Sequence, residues 1–332
     1  MSYYEAVLDL INETVKDEKF KSLSEAGKQL MARYKNCQNK NTVFIQSDTQ
    51  RKSYLVTRFP ATYAVNKKVL DILKTKAEKV DIETIMDIGA GPGTATWNAL
   101  DFFPEIKRAY AFEKDGEWIR FGKQIQSRLS IDQKTVSWIQ RDVAKSPGLL
   151  PDSDLTILSY SIGEMAEHTW TSLLKTLWNK TKQFMVVIEA GTPTGFKRIL
   201  KIRDFLINEG GDLLSPCPHK CVCPLDKKDW CHFSVRLSRT SLHRKMKEAS
   251  LGYEDEKFCY LVFSKNLKRT VYPPIIIRKP LKQEGRVLLK VCSQDGVKDI
   301  CVSKKNKEYY KSSRKLEWGD SISQQTEGTE HV

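Results

Sequence analysis

The sequence predicts an α/β protein: a doubly wound, Rossmann-like sheet preceded by helices and followed by a cysteine-rich loop and a small basic β extension. Three observations carry this reading. Between Ile82 and Glu189, short apolar runs ending in Gly or an acid alternate with helical stretches, as buried parallel strands joined by crossover helices do. One of these runs opens onto a glycine-rich loop in MDIGAGPGTATWNAL. Further on, four of the eight cysteines fall within fifteen residues, in PCPHKCVCPLDKKDWCHF.

Residues 1–75 read as a helical region. AVLDLINETV and LSEAGKQLMARYK place apolar residues three and four apart, and Ser22 or Ser24 can cap the second helix. The opening stretch MSYYEAVLDLINETVK has Glu5, Asp9 and Glu13, no Arg and no uninterrupted apolar core. It therefore reads as neither signal peptide, membrane span nor mitochondrial presequence, and the expectation is a cytoplasmic protein, bacterial-type or a processed form, without a membrane partner. Residues 76–215 form the expected cofactor-binding domain, with strands in TIMDIGAG, RAYAFEKD, DLTILSYS and FMVVIEAG. The helix FKRILKIRDFLINEG leads into the cysteine-rich segment, 216–262. In 263–318, VYPPIIIRKP and GRVLLKVCSQDGVKDICVSKK read as short antiparallel strands with Asp295-Gly296 as a hairpin turn. The polar tail 319–332 is expected to be disordered.

The formal charge is +14, and Lys265 to Trp318 carries fifteen Lys or Arg against five acids. A polyanion fits that segment, RNA first, against the simpler reading of a solvated basic face.

Thiolates crowded within a few residues repel one another unless a cation neutralises them. Disulfides would require a secretory route, and inert buried thiols are the other alternative. A structural zinc site commonly pairs its ligands in two close couples, and no second couple lies near the first. Cys217, Cys223 and Cys231, six and eight apart, instead suit three ligands from an irregular loop plus a distant fourth. Cys259, Cys292 and Cys301 are available for that place, and His219 and His232 are able to ligate. Zinc and an iron-sulfur cluster both remain open on spacing alone.

Gly89, Gly91 and Gly93 follow a strand and precede a helix, where the backbone must turn tightly and approach a cofactor that a Cβ would displace. Glu113 ends the next strand, twenty-four residues after Gly89, placed to accept both ribose hydroxyls of an adenosine cofactor. Asp142, in IQRDV, is placed to accept from the adenine amino group. The glycines run G-x-G-x-G rather than the dinucleotide G-x-G-x-x-G, and Asp87 two residues earlier suits the ammonium of a methionine moiety. S-adenosylmethionine is the favoured cofactor, with a dinucleotide and an empty structural fold as alternatives. Ser159-Tyr160-Ser161 stands where an amino-group methylase would carry its Asn/Asp-Pro-Pro-aromatic motif. A cytosine-C5 enzyme needs a nucleophilic Cys there, and none lies between Cys37 and Cys217. Tyr160 and Glu164 are the candidates to touch a substrate, unless they are merely exposed sheet-end residues.

From about Ser53 to Asp320 the chain resembles the methyltransferase-like small-ribosomal-subunit proteins, found in bacteria and as a mitochondrial small-subunit assembly factor. The resemblance rests on YLVTRFPATYA (Tyr54, Arg58, Pro60), the GAGPG loop, EAGTPTGF (Glu189 to Phe196), PCPHKCVCPL, DWCHFSVRLSR, YEDEKFCYLV and a terminal WGD at Trp318. It departs from the family at Ala190, where a Pro is common. The resemblance implies a class I methyltransferase fold and binding to small-subunit rRNA during assembly. It also implies a four-iron, four-sulfur cluster on Cys217, Cys223, Cys231 and a C-terminal cysteine before an Asp-Gly turn, Cys292, leaving Cys221 and Cys259 as extras. The expected partners are the small subunit and its rRNA, and the free chain is expected to be a monomer. Two functions follow: an assembly or translation factor that uses the fold for recognition, or an active rRNA methyltransferase.

Overall fold

The computed structural model describes residues 3–36, 45–77, 81–132, 135–226 and 228–322. The chain divides into two compact units that interleave along the sequence: Met1–Ile188 with Val235–Glu256, and Glu189–Ser234 with Lys257–Val332. These units do not follow the contiguous boundaries expected at 75, 215 and 262. Shifts in composition mark where charge and cysteine content change, whereas the units are set by where the chain leaves one core and returns to it.

Among the described residues, four helices precede the sheet of the first unit: α1 (Tyr3–Val15), α2 (Phe20–Asn36), α3 (Asp48–Thr57) and α4 (Phe59–Lys76). Val7, Ile11 and Val15, four apart, are buried along one face of α1. Ser47 caps α3 by accepting from Gln50 N at 3.2 Å. The helix breaks at Arg58 because Pro60, in the first turn of α4, has no N–H to continue it.

The sheet follows as β1 (Thr84–Ile88), α5 (Thr94–Phe102), β2 (Arg108–Glu113), α6 (Gly116–Arg128), β3 (Val136–Gln140), β4 (Ser153–Ser159), α7 (Trp170–Lys180) and β5 (Thr181–Ala190). The strands lie in the order β3-β2-β1-β4-β5, and every neighbouring pair is parallel. Ile85, Ile88, Ala111, Phe112, Leu155 and Ile157 are buried, as sheet covered on both faces requires. This is the doubly wound order, which changes direction between β1 and β4. Ligands bind outside the carboxyl ends of the strands at that switch point.

Along the rest of the chain lie α8 (Pro193–Asn208), β6 (Asp212–Ser215), β7 (Phe233–Ser238), α9 (Ser241–Met246) and β8 (Tyr253–Ser264). In the first unit Arg58, ahead of α4, makes a two-pronged ion pair with Glu256 on β8, at 3.1 and 2.8 Å. The motifs YLVTRFPATYA and YEDEKFCYLV, far apart in sequence, meet in that one contact. Burial alone would lower the Arg58 pKa, and the Glu256 carboxylate outweighs it and raises it.

In the second unit, Thr192 caps α8 by accepting from Gly195 N at 3.1 Å, with Pro193 in the first turn. β6 runs antiparallel to β8, and Gly191 N at the end of β5 donates to Lys257 O at 2.9 Å. The basic segment then forms β9 (Ile275–Ile276), β10 (Leu281–Gln283), β11 (Arg286–Ser293), β12 (Gly296–Ser303) and α10 (Lys307–Ser313). Its core is Ile276, Val287, Leu289, Val291, Val302 and Ile322. The β11–β12 hairpin pairs Ser293 with Gly296, so its two-residue turn is Gln294-Asp295, one residue earlier than expected. Gly296, at φ +115°, still needs glycine, because it opens β12 in the left-handed region. The expected disordered tail does not begin at Gly319. Gly319 N donates to Ile276 O, Ile322 N donates to Pro274 O, and Ile322 is buried. Residues 323–332 lie outside those described.

Candidate functional site

The first unit gathers the expected cofactor residues at the carboxyl ends of β1 and β2. Asp87 is 1% exposed, and its Oδ2 accepts from Thr96 N at 3.1 Å and Thr96 Oγ1 at 2.7 Å. Burial pushes its carboxyl up to about 7, against the pull of the two Thr96 bonds. Oδ1 is then the oxygen that can face a ligand's ammonium. Gly89, Gly91 and Gly93 all have positive φ, at 71°, 55° and 84°. A Cβ on Gly89 would stand 2.5 Å from the Ser161 Cβ, whereas around Gly91 there is nothing within 4 Å. The loop therefore packs tightly at one end and leaves an open cradle at its middle.

Glu113 is spoken for in part: its Oε2 accepts from Gly91 N at 2.8 Å, and its Oε1 from Lys114 N at 2.7 Å and Asp115 N at 2.9 Å. Burial raises its pKa while these backbone donors pull it down. An ionised carboxylate has about four acceptor sites, so capacity remains on Oε2 for a hydroxyl. Asp142 is half-buried after β3, with Lys145 Nζ at 3.7 Å. Tyr160, directly after β4, sits at φ +56° and its N donates to Ile188 O at 2.8 Å. Glu164 lies 3.5 Å from the Tyr34 hydroxyl and 3.9 Å from Lys114 Nζ. Thr96 was not foreseen as the partner that orients Asp87. Its place in GTATW, after the loop, was the available signal.

Among the described residues of the second unit, an apolar cavity is lined by Cys217, Cys223, Cys231 and Cys292, together with Cys259, His219 and Arg203. Cys221 is exposed, and neither it nor Cys301 lines the cavity. Burial raises the thiols of Cys217, Cys223 and Cys231. For Cys292, burial and then the charges of Cys217 and Cys223 push the thiol up to about 12. These side chains feel one another's charge, so all four would ionise together only with a cation between them. Cys259 differs, since its thiol donates to Cys231 O at 3.1 Å. No three His, Cys, Asp or Glu side chains among the described residues stand close enough together to hold one metal ion.

His219 Nε2 stands 3.7 Å from Cys292 Sγ. His232 lies outside the cavity, stacked on Trp230 with centroids 5.3 Å apart and edge-on to Trp318 at 4.9 Å. It packs; the DWCHF and WGD motifs meet through it.

Residues 48–323 match the profile of the family described as Mitochondrial small ribosomal subunit Rsm22. The chain belongs to this family. Among relatives of this Rsm22-family chain, the human ribosome assembly protein METTL17, mitochondrial, is 23% identical over 81% of the chain and 61% of its own length. The Rsm22-cox11 tandem protein 2, mitochondrial, of Schizosaccharomyces pombe is 23% identical over 82% of the chain and 43% of its own length. The chain thus spans about three-fifths or less of the relatives it matches. It is also similar to the precorrin-6y C5,15-methyltransferase of Geobacter metallireducens, with TM-score 0.41 and 17% identity over 62% of this chain and 87% of that one. The strand order, and not this likeness, identifies the fold.

These relatives correct the expected cytoplasmic, bacterial-type location, because the family and both proteins are described as mitochondrial. Tyr3–Val15 is a packed helix with a buried face, and such a helix carries no information about compartment. No described helix is long and apolar enough to cross a membrane.

Proposed function

We propose that this Rsm22-family chain is a methyltransferase-like assembly factor of the mitochondrial small ribosomal subunit, binding S-adenosylmethionine in the first unit and an iron-sulfur cluster in the second. The observation that carries the cluster is the convergence of Cys217, Cys223, Cys231 and Cys292 on one apolar cavity. Three come from an irregular loop and one from β11, and a four-iron cluster accepts such widely spaced thiolates. When bound, the cluster supplies a covalent tie between the loop and the basic hairpin. Fifteen cationic side chains between Lys265 and Trp318 favour rRNA as the surface that segment meets. The free chain is a monomer in this reading.

S-adenosylmethionine fits the cradle at Gly91, with Asp87 facing the ammonium and Glu113 the ribose. Asp87→Asn separates binding from stability. The folded carboxyl titrates at about 7, above its ordinary 3.8, so the charged group destabilises the fold fully above pH 7 and not at all below its unfolded value. The variant is expected to lose S-adenosylmethionine in calorimetry yet unfold no lower than wild type at pH 8, with that advantage shrinking toward pH 4. A variant that binds normally would remove Asp87 from the site.

The second reading, an active rRNA methyltransferase, is favoured by the complete GAGPG loop with Asp87 and Glu113. The assembly reading draws on the absence of an amino-methylase motif after β4. Methylation mapping of small-subunit rRNA in a deletion strain decides between them. The assembly role predicts stalled small-subunit precursors with an unchanged map. A base that loses its methyl group and regains it with wild type, but not with Gly91→Arg, would establish catalysis.

A further inference from the structure

Helix α8 buries Phe196, Ile199, Arg203 and Leu206 along one stripe, so a charged side chain stands in an otherwise apolar row. Its side chain is 1% exposed and lines the same cavity as the four cysteines. Nη2 donates to His219 O at 3.0 Å and Cys221 O at 2.6 Å, gripping the irregular loop between Cys217 and Cys223. Nη1 reaches Asp204 at 2.7 Å, but that carboxylate is 64% exposed, so water screens it. Nε is buried without an acceptor among the described residues. A buried guanidinium whose carboxylate partner is solvated, and whose buried acidic neighbour is the Cys217 thiol, is unfavourable unless an anion completes the site.

We infer that Arg203 is the positioning and charge-balancing residue of the cysteine cavity, holding the loop by its fork and offering its buried charge to an anionic group bound by the four thiolates. The inference rests on the cluster reading above. Four thiolates around a doubly charged four-iron core leave two net negative charges, and one-electron reduction adds a third. In a low-dielectric cavity a fixed cation favours the more negative state. Arg269 holds the other flank of the loop, donating to Leu214 O and Cys217 O at 3.0 Å each. The loop therefore keeps a second anchor when Arg203 is changed.

The test compares wild type, Arg203→Lys and Arg203→Gln, purified without oxygen, for iron per chain, thermal midpoint, midpoint potential and bleaching rate in air. Lys keeps the charge without the planar fork, and Gln keeps neither. Wild type and the Lys variant are expected to titrate at similar potentials. The Gln variant should titrate at a more negative potential and bleach several-fold faster, or take up no iron where the Lys variant does. A loaded Gln variant with wild-type potential and bleaching rate overturns the inference, and equal shifts in Lys and Gln overturn its charge component. A wild type without iron overturns the cluster reading itself, and is seen before any variant is compared.

Discussion

Cys292→Ser is expected to lose most of its iron and to unfold at a lower temperature than wild type, while Cys221→Ser and Cys259→Ser keep both. The geometry separates the three. Cys292 lies on β11 and lines the cavity, so of the three cysteines it is the one that can tie the basic hairpin through a bound group to Cys217, Cys223 and Cys231. Cys221 is exposed and outside the cavity. Cys259 lines it, but its thiol is committed to Cys231 O, and burial with the nearby Glu189 charge holds its proton on. Binding free energy at such a site is folding free energy, because the unfolded chain has no preformed cage. Iron analysis and calorimetry on the three variants check this. Loss of iron in Cys221→Ser with retention in Cys292→Ser would replace the ligand set.

Arg58→Ala is expected to cost the fold about 3 kcal/mol, the lower end of what breaking a buried ion pair costs. Side-chain exposures of 15% and 11% keep Arg58 and Glu256 largely from water, and both prongs of the guanidinium are used. Removing the cation strands the Glu256 carboxylate. Replacing both partners by Met should recover much of the loss, since two apolar groups need no mutual charge. Urea denaturation of Arg58→Met, Glu256→Met and the double Met variant checks it. A double variant as unstable as the sum of the singles would mean the residues act independently.

The sheet was legible where its strands are apolar throughout. TIMDI, DLTILS and FMVVIEA read directly because both faces of these strands are covered. β3 was not among the runs read as strands: VSWIQ has one buried residue of five and lies at the end of the strand order, so burial did not impose an apolar run. β7, with two of six residues buried, lacks an apolar run for the same reason. The hairpin turn was misplaced by one residue because Asp-Gly is the commonest signal, while the backbone put Gly296 in the strand.

Among the site residues, the cysteines and glycines were visible as chemistry at fixed spacing. Their supports were not. Arg203 stood in the apolar stripe 196, 199, 203, 206 as a misplaced charge, the kind of local inconsistency that marks a functional position. Thr96 and Arg269 carried no such mark, because a hydroxyl and a surface-type cation are ordinary in their local sequence. The interleaving of the two units was also invisible, since no local property of residues 235–256 sets them apart from their neighbours.

What the cysteine cavity holds decides the function of the second unit. The direct measurement is metal content and visible absorption of the full chain purified without oxygen. A cluster on Cys217, Cys223, Cys231 and Cys292 gives a brown protein with about four irons and four acid-labile sulfides per chain; a colourless protein carrying a single zinc would contradict the cluster.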